Sequence, residues 1–456
     1  MMMMSADHIT AMSPEETGTT KHSCIPVSEK EERNMWHLLP DVVLIEIFLH
    51  LDIQDRLCAS QTCTRWARLM QTSGELWREL EIDLVQSQDD QKPLWQVRHH
   101  GHCTRSFTII GYGGISRPIW ERLRDTAMTC FDSLRNSADL TNFILLKTDL
   151  TEVNNGESVP PFLASLERLL RSHKHFKRFV MTGTKLQFEN GMIILEALNE
   201  GVWKNLLDAN LTDFFHWDAR DVHRQDRFHN ILGQFQSLRK LCLNYTCVSD
   251  EILALIGNNL SESIESLAIK VALLYSNTHT IRPSSWTKLH TRCKRLMVDF
   301  EFIHVYEPED VTRCLLPEIR LRGLRVWSGY DMRHQHRIGR LIDYVTASFQ
   351  NSLETASLEF DNTTCLFDAS LLNLVSSCKN LQELFVCANM NVNTVATICE
   401  MRWRNDIGLT KFHVTLCCAT AEEWEAIHQL EEDQMEKSRH HKVEIFFVTD
   451  LALDLV

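Results

Sequence analysis

LRKLCLNYTCVSDEILALIGNNL, residues 238–260, reads as two elements in succession. Leu238, Leu241 and Leu243 fit the template apolar-x-x-apolar-x-apolar, whose last two slots alternate with polar residues as one face of a strand does. Asp250–Leu260 then reads as a helix. Upstream, the template occurs at Phe107-x-Ile109 (with Thr104 as a weak first slot), Leu140-x-x-Phe143-x-Leu145 and Phe176-x-x-Phe179-x-Met181. Trp203-x-x-Leu206 is a degenerate copy with Asp208 in its last slot. Downstream it recurs at Ile264-x-x-Leu267-x-Ile269, Cys293-x-x-Leu296-x-Val298, Leu321-x-x-Leu324-x-Val326 and Leu353-x-x-Ala356-x-Leu358. Three further copies follow at Leu381-x-x-Leu384-x-Val386, Leu409-x-x-Phe412-x-Val414 and Val443-x-x-Phe446-x-Val448. The starts lie 26 to 36 residues apart. Helix-like segments fill the gaps, at Ile119–Leu134, Pro161–Leu170, Gly191–Leu198, Glu309–Leu316, Ile338–Phe349, Ala369–Ser377, Val392–Met401 and Ala421–Lys437. An ordinary doubly wound sheet also alternates strands and helices, but it has no reason to keep one phase through so many copies.

Strand then helix at a steady period is the signature of a solenoid of the leucine-rich-repeat-like kind. The period is longer and more ragged than in a regular leucine-rich repeat, and the Asn that closes the strand turn is clear only at Asn244. Ahead of the repeats, residues 36–80 carry a different pattern. Pro40 suits a first helical turn, where a missing N–H costs nothing, and Asp41 adds a charge favourable to a helix start. Leu44, Ile47, Phe48 and Leu51 follow as an amphipathic stripe. Asp52 to Asp55 ends that helix and caps a second; a third stretch, Thr64 to Met70, holds Trp66 and Leu69. Three short helices make a thin core, so an exposed apolar face of this module is expected to meet another protein. The expected fold class is α/β: a disordered polar tail over 1–34, a three-helix module over 35–80, and a solenoid of parallel strands alternating with helices over 81–456.

Composition narrows the function classes. The 456 residues are 44% hydrophobic with few Gly and Pro, which excludes collagen-like and low-complexity classes. A formal charge of −14 repels phosphate backbones, so no nucleic-acid partner is expected. Fifteen scattered cysteines suit reduced, mostly buried thiols in the cytoplasm or nucleus. No signal peptide and no membrane span are expected, because the first residues lack a basic and apolar leader and no apolar run approaches about 18 residues.

The 39–77 stretch resembles the F-box. The matching residues are Leu39-Pro40-Asp41, Leu44, Ile47-Phe48, Leu51, Asp52, Asp55, Leu57, Cys63, Arg65-Trp66 and Leu76-Trp77; Thr62 departs from the Val usual there. Residues 238–253, 285–289, 298–302 and 443–448 are also similar to stretches of one family member. The resemblance implies a non-catalytic substrate receptor of an SCF-type cullin–RING ubiquitin ligase, with the F-box on the Skp adaptor, the adaptor on the cullin scaffold, and the solenoid holding a protein target. The adaptor-binding residues it implies are Leu39, Pro40, Leu44, Ile47, Phe48, Leu57, Trp66 and Trp77. Trp66 and Leu51 also suit the module's own core. A rival reading is an adaptor-associated repeat protein with no ligase role.

For the target, residues flanking the middle apolar slot point away from the helices. Arg295, Met297, Arg325, Trp327 and Phe385 come from neighbouring copies and are the candidate substrate-binding patch. Catalytic and cofactor motifs are absent. His99, His100, His102 and Cys103 lack the second ligand pair of a structural zinc site, and Gly111-Tyr112-Gly113-Gly114 lacks the Lys-Ser/Thr ending of a phosphate loop. The run Arg168, Arg171, Lys174, Lys177 and Arg178 reads as a basic helix end or a site for an acidic tail.

Overall fold

A computed structural model describes residues 36–450 except 37, 84–90, 112–116, 138, 152–158, 199, 274–278, 306, 330–336, 363–366, 418–424, 431 and 434–443. The expected tail over 1–34, most of the expected 421–437 helix and Tyr112–Gly114 lie outside the described residues. The chain divides into two compact units between Leu76 and Trp77, four residues before the expected boundary.

The first unit holds helices α1 (Asp41–Leu49), α2 (Ile53–Ser60) and α3 (Thr64–Thr72). Each starts on a residue chosen for that place. Pro40 precedes α1, the Asp52 carboxylate accepts the Asp55 N–H at the start of α2, and the Cys63 Sγ accepts the Trp66 N–H at the start of α3. Leu44, Phe48, Ala59, Leu69, Met70 and Leu76 are buried, and the Phe48 and Trp66 rings meet edge-on at 5.1 Å.

The second unit is a parallel sheet of thirteen strands among the described residues, in which every strand pairs with its sequence neighbours. The strands are β1 (Glu79–Asp83), β2 (Ser106–Ile110), β3 (Asn142–Leu146), β4 (Arg178–Thr182), β5 (Asp208–Asn210), β6 (Lys240–Asn244) and β7 (Ser266–Ala272). They continue as β8 (Met297–Ile303), β9 (Leu321–Trp327), β10 (Thr355–Glu359), β11 (Glu383–Ala388), β12 (Lys411–Cys417) and β13 (Glu444–Asp450). The solenoid and its parallel strands are therefore as the repeat pattern predicts. The helices also fall where expected, Ile338–Phe349 to the residue. Helices at Gln91–His100, Asp226–Leu232 and Pro283–Arg292 add to those expected.

The register explains the apolar template. Leu80, Phe107, Phe143, Phe179, Ala209, Leu241, Leu267, Val298 and Leu321 stand side by side on successive strands and are all buried. A second buried ladder runs through Leu243, Ile269, Phe300, Leu324, Ala356, Leu384 and Phe412. Period-2 alternation puts these ladders on the helix side and leaves the residues between them on the opposite, open face. Three copies depart from the expected phase. The fifth strand takes its slots from Leu206, Ala209 and Leu211, with Asp208 turned to the open face. In β8 the ladder residues are Val298 and Phe300, two positions later than expected. In β9, Leu321 pairs with Val298 but Gly323 pairs with Asp299, so Arg322 is an extra residue and the strand bulges. The bulge needs a glycine: a Cβ on Gly323 would stand 2.7 Å from Asp299 Oδ1 and 2.8 Å from Thr355 Oγ1.

Strand β1 was not among the expected copies. It opens the sheet, and Trp77, read as the end of the helical module, is buried just ahead of it in this second unit. Its ring stacks on His100 at 4.4 Å and meets Trp95 edge-on at 5.5 Å.

Candidate functional site

Two surfaces stand out, one in each unit. In the first, α1 reads DVVLIEIFL and is apolar nearly all round. At about 100° per residue, Leu44 and Phe48 face inward, and Ile45, Leu49, Val42, Glu46, Val43 and Ile47 sweep the remaining arc. Val42 is 77% exposed, Leu38 67% and Trp36 54%, and Val43 and Leu49 are also exposed. Five of the eight exposed large hydrophobic residues described in the chain lie in this small unit. Such a concentration marks an interaction face.

The arc is rigidly mounted. Arg56 on α2 donates to the carbonyls of Phe48 (3.0 Å) and Leu49 (3.0 Å) at the end of α1 and to that of Leu76 (2.5 Å). Arg65 on α3 donates to the Asp41 carboxylate at 3.0 Å and to the Leu39 carbonyl at 2.5 Å, fixing the start of the same helix.

The expected adaptor residues divide accordingly. Pro40 is exposed; Leu39, Ile47, Leu57 and Trp66 are half-buried. Leu44 and Phe48 are buried in this unit and Trp77 in the other. Trp36, Leu38, Val42, Val43 and Leu49 escaped the sequence reading. The signal was present: an apolar residue at nearly every position of a nine-residue helix is more than one buried face can use.

The second surface is a groove of about 590 Å³ on the open face of the sheet. Its wall is built from the residues between the buried ladders: Lys270, Asp299, Glu301, Arg325, Phe385 and His413. The charges are matched. Lys270 Nζ lies 2.6 Å from Asp213, Arg325 lies 2.9 Å from Glu359 and 3.7 Å from Glu301, and Lys411 lies 3.0 Å from Glu383. Arg322 pairs with Asp299. The rings of Phe385 and His413 stand 4.7 Å apart. Of the expected target residues, Arg325 and Phe385 share this groove. Trp327 ends β9 against His304, ring centres 4.8 Å apart; Met297 begins β8; Arg295 precedes β8 and bonds the Glu262 carbonyl. Two of the five expected residues thus line the groove and three lie outside it. The acids were missed because only the exact register shows which polar residues share a row.

The remaining sequence features have structural roles. Arg171 pairs with Glu167 (2.8 Å), Arg168 with Asp132 (3.7 Å) and Arg178 with Asp208 (3.1 Å). His99 and His100 stack on Trp95 and Trp77. Among the described residues no three His, Cys, Asp or Glu side chains come together as metal ligands, and no helix is long and apolar enough to cross a membrane.

The family description F-box-like matches residues 36–83. The chain carries an F-box-like domain followed in sequence by a leucine-rich-repeat-like solenoid. The chain is similar to F-box/LRR-repeat proteins. F-box/LRR-repeat protein 21 of Mus musculus is 24% identical over 361 residues, which cover 76% of each chain. F-box/LRR-repeat protein 12 of Homo sapiens is 39% identical over 76 residues, 16% of this chain and 22% of that relative. The stretches at 238–253, 285–289, 298–302 and 443–448 resemble F-box only protein 39; the matches support the family and not that individual member. Among solved structures, the Rad7 and Elc1 complex of yeast aligns over 87% of this chain and 94% of that one, with a TM-score of 0.37 and 12% identity. In the F-box-like domain, α1 is thus a helix with one face in its own core and a broad apolar arc turned outward.

Proposed function

We propose that the chain is the substrate-recognition subunit of an SCF-type ubiquitin ligase. The F-box docks on the Skp adaptor, which links it to the cullin scaffold, and the solenoid holds a protein target. The observation that carries this reading is the exposed apolar arc of α1, with Trp36 and Leu38 beside it in sequence. A partner that covers it removes apolar surface from water at about 25 cal/mol per Å². In this reading the chain changes no bond and uses no cofactor; it raises the effective concentration of a target lysine near a loaded conjugating enzyme. The groove that holds Arg325 and Phe385 is the proposed target surface, its matched charges setting specificity more than affinity. A cytoplasmic or nuclear setting is proposed with it. It is supported by thiols held in the protein interior: burial pushes Cys130, Cys242 and Cys247 up to a pKa of about 12.

The test is co-expression with the Skp adaptor and a cullin, followed by capture. The double variant Val42→Glu, Leu49→Glu is expected to lose adaptor by about tenfold or more while keeping its helix content and melting behaviour. Leu44→Ala is expected to lose adaptor and fold together. Undiminished adaptor capture by the folded double variant overturns the interface. Adaptor binding without cullin-dependent ubiquitylation of any captured target instead favours an adaptor-associated repeat protein with no ligase role.

A further inference from the structure

The long connection after β5, residues 211–225, brings an aromatic pair to the carboxyl ends of the strands. Trp217 is 47% exposed and is the exposed tryptophan of the solenoid among the described residues. With Phe215 it walls a pocket of about 300 Å³ whose other lining residues include Lys185, Asp213, Lys270 and Ile303.

The backbone around this pocket is strained. Lys185 (φ 48°), Asp213 (φ 51°) and His304 (φ 58°) all line it, and they are three of the five described non-glycine residues with left-handed φ. Each costs on the order of 1 kcal/mol, and such residues gather at ligand clamps. At Asp213 the strain is held by a specific device. Its N–H donates to Asn244 Oδ1 at 2.5 Å, Asn244 Nδ2 donates to its Oδ1 at 2.8 Å, and Lys270 Nζ donates to its Oδ2 at 2.6 Å.

The same device decides what the pocket takes. Both Asp213 oxygens are engaged, so the one carboxylate in the wall has little left to offer a cation. Lys270 is 18% exposed and carries three N–H donors, of which Asp213 uses one. Lys185 supplies a second ammonium, held 2.6 Å from Asp149 outside the pocket. Unspent donors and an apolar, aromatic wall select an anion attached to an apolar group. Burial and the Lys270 charge hold the His304 imidazole below its usual pKa, so it adds a neutral ring to that wall.

We propose that this pocket binds a peptide carboxylate beside a bulky apolar side chain, the carboxylate on Lys270 and Lys185 and the side chain against Phe215, Trp217 and Ile303. The proposal deepens the target-receptor reading and rests on it for the origin of the peptide, which is a segment of the target. The carboxylate is either a chain terminus or an Asp or Glu side chain.

Three probes separate these sources: N-acetylphenylalanine with its free carboxylate, N-acetyl-Asp-Phe amide with a side-chain carboxylate, and N-acetylphenylalanine amide with neither. Ligand-observed NMR titrations on the 456-residue chain read their affinities. At least one anionic probe is expected to bind about tenfold more tightly than the neutral amide. Trp217→Ala is expected to weaken that probe by about tenfold, and Lys270→Met to abolish the preference for the anion. Lys185→Met, which leaves the Asp213 device untouched, is expected to reduce the preference and covers the case in which Lys270→Met melts the loop. Equal binding of all three probes, binding of none, or anion binding unchanged in folded Trp217→Ala overturns the proposal. Adaptor capture by the same wild-type chain is scored separately, so a chain that captures adaptor but binds no probe fails here alone.

Discussion

Arg56 and Arg65 hold the F-box together from outside its apolar core. Each spans two helices with hydrogen bonds to main-chain carbonyls, and Arg65 adds the Asp41 carboxylate. Charge-assisted bonds of this kind are worth more than neutral ones, and removing the donor strands the acceptors. Arg56→Ala is therefore expected to destabilise the F-box by about 1 to 3 kcal/mol, read as faster amide exchange across residues 41–72 with the solenoid unaffected. Arg65 belongs to the C-x-R-W signature and was legible as part of it. Arg56 was not, because its partners are carbonyl groups, which no side-chain pattern announces. Trp77 misled for a related reason: it closes the signature in sequence, yet its ring completes the core of the next unit beside His100 and Trp95.

At the level of elements, strand β9 shows what a repeat pattern conveys and what it hides. The apolar template located twelve of the thirteen described strands, the fifth by its degenerate copy, because burial on one face is a period-2 signal that survives substitution. It could not count the extra residue at Arg322, since a bulge keeps apolar residues in every template slot while moving them to different rows of the sheet. Only pairing shows that Gly323 stands between Asp299 and Thr355. Gly323→Ala is expected to cost about 1 to 3 kcal/mol in urea unfolding of the solenoid, by overpacking against those two side chains. A Gly323→Ala chain as stable as wild type would mean that the bulge relaxes freely. The groove on the open face of the sheet was partly legible for the same reason. Arg325 and Phe385 are visible as outward residues, whereas Asp299 and Glu301 become groove residues only once the register is known.

On the scale of the whole molecule, stability is spread over repeats and so is its dependence on pH. His100 and His290 sit in separate helices, both buried and both with pKa values lowered to about 4, His100 chiefly by burial and His290 by burial and the Arg320 charge. His290 Nε2 also accepts the Arg320 N–H at 3.1 Å, which only the neutral ring can do. Folded pKa values below the unfolded 6.5 mean that the unfolded chain binds more protons as acid is added. The stability from these groups is complete above pH 6.5 and falls as pH drops toward 4, by about 1.4 kcal/mol per pH unit for each histidine. Replacing His290 with Gln is expected to flatten the acid limb of a urea-midpoint series by about one proton. The sheet order β1 to β13, each strand bonded to the one made just before it, has a consequence for synthesis. A coil can settle on its predecessor while the ribosome is still translating the next, so the growing protein never has to keep an early segment waiting for a distant mate.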